Sequence, residues 1–198
     1  MGKISLQAMI EAAIFAAMAL VLDLLPSIKF GPSISISFAM VPVFIVAFRW
    51  GVKAALFSGL LWSLLQFATG DAWILTPIQA IIDYPIAFSF IGLAGMLAPS
   101  VQKMAAEGNR NGLIMALTIG IFIGSLGRYF WHFISGVVFF GSYAKEAGKT
   151  PIVYSFVANG ITMFFSFLAC TIVLSIILAM RTQLLKTNKT TYPSTKSA

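Results

Sequence analysis

"IIDYPIAF" (residues 81–88) places an aspartate and a tyrosine inside a long apolar run. If that run crosses a bilayer, Asp83 costs about 2.5–3.5 kcal/mol on insertion scales, and a residue kept at that cost is a functional-site candidate. Composition decides the premise. Of the 198 residues, 59% are hydrophobic and 10% charged, with a mean hydropathy of +0.93. A soluble domain carries about 25% charged residues, so this chain cannot cover itself with polar surface. It is read as an all-α integral membrane protein. The single cysteine, Cys170, has no partner and offers no disulfide framework.

Apolar runs bounded by charges or turn residues give six spans, at roughly 5–25, 34–48, 53–69, 73–97, 112–138 and 152–180. The second and third are short for the ~20 residues a perpendicular helix needs. Lys3 and the small residues near Ala19 imitate a signal peptide. The first apolar run is longer than a signal's core and carries Glu11, so it is read as a retained helix. Residues 1–182 then form one six-helix membrane domain, and 183–198 a polar tail expected to be disordered. With six spans, Lys3, Arg49, Lys53, Lys103, Arg110, Arg181, Lys186, Lys189 and Lys196 share one side, against Lys29, Lys145 and Lys149 on the other. The positive-inside bias puts both termini in the cytoplasm. The net charge of +7 therefore reflects membrane topology and calls for no nucleic-acid partner.

Within the spans, polar and aromatic groups gather at one depth. Asp83 lies about ten residues into the fourth span, or ~15 Å at 1.5 Å per residue. In the fifth, Arg128, His132 and Gly136 are spaced four apart and share a helix face. The sixth begins "PIVYSFVANG" and places Tyr154 and Asn159 in its first turns. Trp62 lies near the outer end of the third span, and Trp73 opens the fourth. This convergence describes a ligand pocket entered from outside. A carboxylate with several aromatics suits a flat cationic or amine-bearing ligand. Asp83 would supply charge, and Trp62, Tyr84 and Phe140 stacking or cation–π faces. His132, Tyr154 and Asn159 would supply directional hydrogen bonds, and Gly136 room for a ring against the backbone. Arg128 would hold Asp83 ionised or meet an anionic tail of the ligand.

Blander readings stay open for each residue. Asp83 and Arg128 fit a buried structural ion pair, His132 a core histidine, Trp73 an interfacial belt, and Asn159 a bridge between helices. Catalysis fits poorly, because there is one histidine, no H-E-x-x-H, no cysteine cluster and no second buried carboxylate to pair with Asp83. "GKT" (148–150) ends like a phosphate-binding loop, but Tyr143 stands where its first glycine is required. No cofactor is called for. In the first helix Ala8, Ala12 and Ala16 form one small-residue stripe and Ala13 and Ala17 an adjacent one. Such stripes let another helix approach, whether from this chain or from a partner.

The blocks "FRWGVKAAL", "IIDYPIAFSFIGLAGM", "RYFWHFISGVVFFGSYA" and "VYSFVANG" resemble the thiamine-specific substrate-binding subunit, or S component, of energy-coupling-factor (ECF) vitamin transporters. The resemblance covers about residues 5–180. It implies six helices, both termini inside, and capture of thiamine from outside, with a transmembrane coupling subunit and two cytoplasmic ATPases as partners. It also implies ligand contacts at Asp83, Tyr84, Arg128, His132, Gly136, Tyr154 and Asn159, with stacking aromatics at Phe140, Trp62 and Trp73. The alanine stripe of the first helix is similar to the family's docking surface for the coupling subunit. Some members have glutamate at the position of Asp83 and tryptophan at that of Phe140. A thiamine precursor as ligand, or a stand-alone ion-coupled carrier using Asp83 as a proton site, are the alternatives.

Overall fold

The computed structural model describes residues 4–24, 28–30 and 34–186. Helix α1 (Leu6–Leu24) is followed by an antiparallel hairpin, β1 (Ile28–Phe30) and β2 (Ile34–Ile36), paired Ile28 to Ile36 and Phe30 to Ile34. Next come α2 (Val41–Trp50), α3 (Val52–Thr69) and α4 (Pro77–Ala106). They are followed by α5 (Arg110–Phe139), the short α6 (Gly141–Glu146) and α7 (Pro151–Met180), and the described chain ends near a single 3₁₀ turn, Thr182–Leu185. Helices α1, α3, α4, α5 and α7 are long and apolar enough to cross a membrane; α2 is a shorter apolar helix.

The second expected span is corrected. Its first residues belong to β2, and its helix has only 10 residues, rising ~15 Å, or half the ~30 Å hydrocarbon core. The alternation in "SISISF" is a period-two strand signal, and Pro42 sits in the first turn of α2, where its missing N–H costs nothing. Short as it is, α2 is central: Val41 to Phe48 are all buried. The fourth span is shifted too. Thr76 caps α4 by accepting from the Gln79 N–H at 3.1 Å, with Pro77 next, so Trp73 precedes the helix.

Two close crossings shape the bundle. A Cβ on Gly59 would strike the backbone of Phe88, and one on Gly92 the backbone of Leu56. Helices α3 and α4 therefore meet backbone to backbone, as small residues allow in membranes. On the other side of α3, Ala8, Ala12 and Ala16 are buried, and Ser58 Oγ–H donates to the Ala12 carbonyl at 2.9 Å. This corrects the docking expectation for that stripe, which seals α1 onto α3. Ala13 and Ala17 face outward.

Helix α4 widens where it matters. Pro85 has no N–H and its ring crowds the carbonyl four residues back, and the backbone passes through a π turn over Ile82–Ile86. Ser89 Oγ–H donates to the Pro85 carbonyl at 2.6 Å. Such wide turns gather at functional positions, and this one carries Asp83.

The opposite end of the bundle is closed by charge. Arg49 donates to Glu11 Oε1 at 3.1 Å and to the Leu184 carbonyl at 2.8 Å, and Trp50 Nε1–H donates to Glu11 Oε2 at 2.6 Å. Leu185 is buried, so the expected tail begins as part of the packed domain. Lys3 and residues 187–198 lie outside the described residues.

Candidate functional site

Two helices carry the centre of the site. Gln79 and Asp83 are four apart on α4, and Arg128, His132 and Ser135 follow helical spacing on α5, so each set shares a face. The Asp83 side chain keeps 10% of its exposure and His132 25%, so this is where the buried cluster opens. Three side chains reach the carboxylate. His132 Nδ1 lies 3.0 Å from Oδ1, while Ser135 Oγ–H and Gln79 Nε2–H donate to Oδ2 at 2.8 and 2.6 Å. A carboxylate has about four acceptor positions; one remains.

On the far side of the imidazole, Arg128 Nε–H donates to His132 Nε2 at 3.1 Å. Its guanidinium lies 4.4 Å from the Phe88 ring centre and 5.5 Å from that of Trp62, a cation–π arrangement. Among the ion pairs of the described residues, none joins Arg128 to Asp83. The imidazole stands where a direct ion pair was one of the readings. Asp23, at the end of α1, accepts from Gln66 Nε2. It is a second, half-buried carboxylate at this end of the bundle, but it does not pair with Asp83.

The remaining residues divide. Tyr84 stands with Phe67 and Phe88 at ring distances of 5.2 and 5.5 Å, and its hydroxyl accepts from the Trp73 N–H at 2.6 Å. Asn159 donates to the Ser155 carbonyl and hydroxyl at 3.1 Å and to the His132 carbonyl at 3.4 Å, tying α7 to α5. Tyr154 is half-buried in the first turn of α7. Trp62 is 0% exposed with Phe88 4.4 Å from it, so it backs the site rather than presenting an open stacking face. A Cβ on Gly136 would strike Ser155 Oγ, so this glycine serves the α5–α7 contact instead of leaving room for a ring. Phe140 ends α5, with its ring 5.9 Å from Tyr143. The Trp73 side chain is 61% exposed; its backbone is what the site uses.

Gln79, Ser135, Ser155 and Phe88 were missed in the sequence. Three had a signal: Gln79 is four before Asp83, Ser135 three after His132, and Ser155 four before Asn159. Phe88 had none, because aromatics are common in apolar helices.

Comparison with known proteins joins this geometry to a family. A family model described as "Thiamine transporter protein" matches residues 9–186. The chain belongs to this family. It is 43% identical over 186 residues to the thiamine transporter ThiT of Bacillus subtilis, covering 91% of this chain and 95% of that one. It is 34% identical to ThiT of Lacticaseibacillus paracasei, covering 96% and 95%. A solved structure of ThiT from Listeria monocytogenes superposes with a TM-score of 0.88 at 41% identity, covering 91% of this chain and 97% of that one. The chain is thus a multi-pass membrane transporter component with the fold of this family, an S component and not an enzyme. The short second helix and the hairpin before it are features of a chain that shares the fold of that solved relative over nearly its whole length.

Proposed function

We propose that this chain binds thiamine from outside the cell at the Asp83 cluster. It then delivers thiamine inward together with an ECF coupling subunit and two cytoplasmic ATPases, both of its termini being cytoplasmic. The single observation that carries the reading is the carboxylate of Asp83. It is buried at a wide turn, is contacted by three side chains and keeps one acceptor position, and the next residue, Tyr84, packs against Phe88. Thiamine joins a permanently positive thiazolium to an aminopyrimidine whose amine donates. A buried carboxylate meets the charge or the amine, and Tyr84 offers a flat apolar face. Tyr154 and Asn159, on the first turns of α7, are assigned to the same site, Asn159 being tied to the His132 carbonyl. The charge bias of the loops supports the orientation, with the Asp83 end outward and the Glu11 end inward.

Partner docking rests on the exposed stripe of α1, Ala13 and Ala17, since the neighbouring stripe is buried. Small exposed residues let a membrane helix come close. Ala13→Trp is therefore expected to leave thiamine binding unchanged and to impair assembly with the coupling subunit.

Calorimetry on the detergent-solubilised full chain tests the central claim. Saturable thiamine binding that Asp83→Asn weakens by about tenfold or more supports it. A well-folded chain that binds no thiamine overturns it. Binding of an isolated aminopyrimidine in preference to thiamine would reassign the ligand to a precursor. Uptake into vesicles by this chain alone, driven by a proton gradient, would make it a carrier.

A further inference from the structure

Arg128 never reaches Asp83, yet it stands in line with it through one imidazole. Its side chain only donates hydrogen bonds. With Arg128 Nε–H on His132 Nε2 at 3.1 Å, that ring nitrogen must be the acceptor and carry no proton. The neutral ring then has its proton on Nδ1, the atom 3.0 Å from Asp83 Oδ1, where it donates to the carboxylate. Protonating the ring on Nε2 would set an N–H against the guanidinium and break the Arg128 bond. The guanidinium is held by the faces of Phe88 and Trp62, which fix it from behind.

From this line of contacts we infer that Arg128 is a positioning residue. It selects the Nδ1–H tautomer of His132, which makes the imidazole the third donor to Asp83 and leaves the carboxylate one acceptor position for the ligand. This assigns Arg128 a role through His132, not against an anionic tail of the ligand. Its effect on affinity rests on the thiamine-binding reading above; the tautomer does not.

His132 is the only histidine in the chain, so nitrogen NMR of isotopically labelled histidine in the full chain reads this one ring. The ligand-free protein at neutral pH is expected to show a neutral ring protonated on Nδ1. Arg128→Met should redistribute the proton between the two nitrogens and raise the thiamine Kd by about tenfold. Arg128→Lys, which keeps a donor, should recover part of both. In a His132→Ala background, Arg128→Met should add little, because two residues acting as one unit are not additive.

A wild-type ring protonated on Nε2, or on both nitrogens, overturns the inference. So do additive losses in the double variant, which would mean that Arg128 meets the ligand itself. If Arg128→Met does not fold, the wild-type tautomer and the Arg128→Lys pair still decide. A chain with the Nδ1–H ring that binds no thiamine would sink the proposed function and leave the tautomer assignment standing.

Discussion

Each end of this bundle holds a carboxylate, an arginine and a tryptophan, and the two ends use them differently. At one end Glu11 is saturated. Gln7 and Arg49 donate to Oε1 at 3.2 and 3.1 Å and Trp50 to Oε2 at 2.6 Å. Arg49 Nε lies 2.6 Å from Oε2 as an ion contact, off the line of a hydrogen bond. All four sides of that carboxylate are taken, and the arginine also donates to the Leu184 carbonyl. At the other end Asp83 is three-quarters satisfied, its arginine is one imidazole away, and the indole N–H of Trp62 has no partner among the described residues. The same three residue types make a clasp when every position on the carboxylate is taken. They make a site when one is left open, since a buried polar group wants a partner.

The contrast can be broken by exchanging the consequences. Glu11→Ala should cost about 1.5–3 kcal/mol of stability, the range for hydrogen bonds to charged groups, because it strands Arg49 and Trp50. The folded fraction should keep the thiamine affinity of the parent. Thermal unfolding beside calorimetry checks both halves. An affinity loss equal to that of a site variant would mean the two ends are coupled. Asp83→Asn should do the reverse, with affinity falling about tenfold and the unfolding temperature little changed. A large loss of stability there would make Asp83 a clasp as well.

How much of this contrast was legible depends on the distance over which each contact acts. Asp83, His132, Arg128, Tyr84 and Asn159 could be placed near one depth because helix rise is uniform. Gln79 and Ser135 followed the same face rule and were overlooked for want of charge. The hairpin was written in "SISISF", but serine between isoleucines also reads as a tolerable membrane helix, and the apolar run that continues to Phe48 favoured the helix. The two alanine stripes of α1 differ only in what faces them. Ser58 on α3 is what turns Ala12 inward, and sequence spacing within α1 carries no record of it. Whether Arg128 meets Asp83 or His132 is likewise a fact about two helices, α4 and α5, and spacing within either one carries no record of it.

Ser135→Ala sharpens the comparison at smaller scale. It removes one of the two donors to Oδ2 and leaves Gln79 in place. A single such bond is worth about 1 kcal/mol, so thiamine affinity should fall by roughly fivefold, with the His132 tautomer unchanged. Equal binding in this variant would mean that water or the ligand's amine replaces the serine, and that the carboxylate's orientation is fixed by His132 and Gln79 alone.

The smallest effect is expected at Trp73, and it separates side chain from backbone. The loop before α4 is held by its main chain. Trp73 N–H donates to the Tyr84 hydroxyl, the Trp73 carbonyl accepts from Gln79 Nε2 at 3.3 Å, and Leu75 N–H donates to Gln79 Oε1 at 2.9 Å. None of these bonds uses the indole, which is 61% exposed. Trp73→Ala should therefore change affinity by no more than about twofold, as exposed substitutions do. Gln79→Leu, which cuts two loop bonds and one to Asp83, should exceed it. If Trp73→Ala instead costs tenfold, the indole folds over the ligand when it binds, and the open carboxylate at this end acquires a cover that the closed one at the other end does not need.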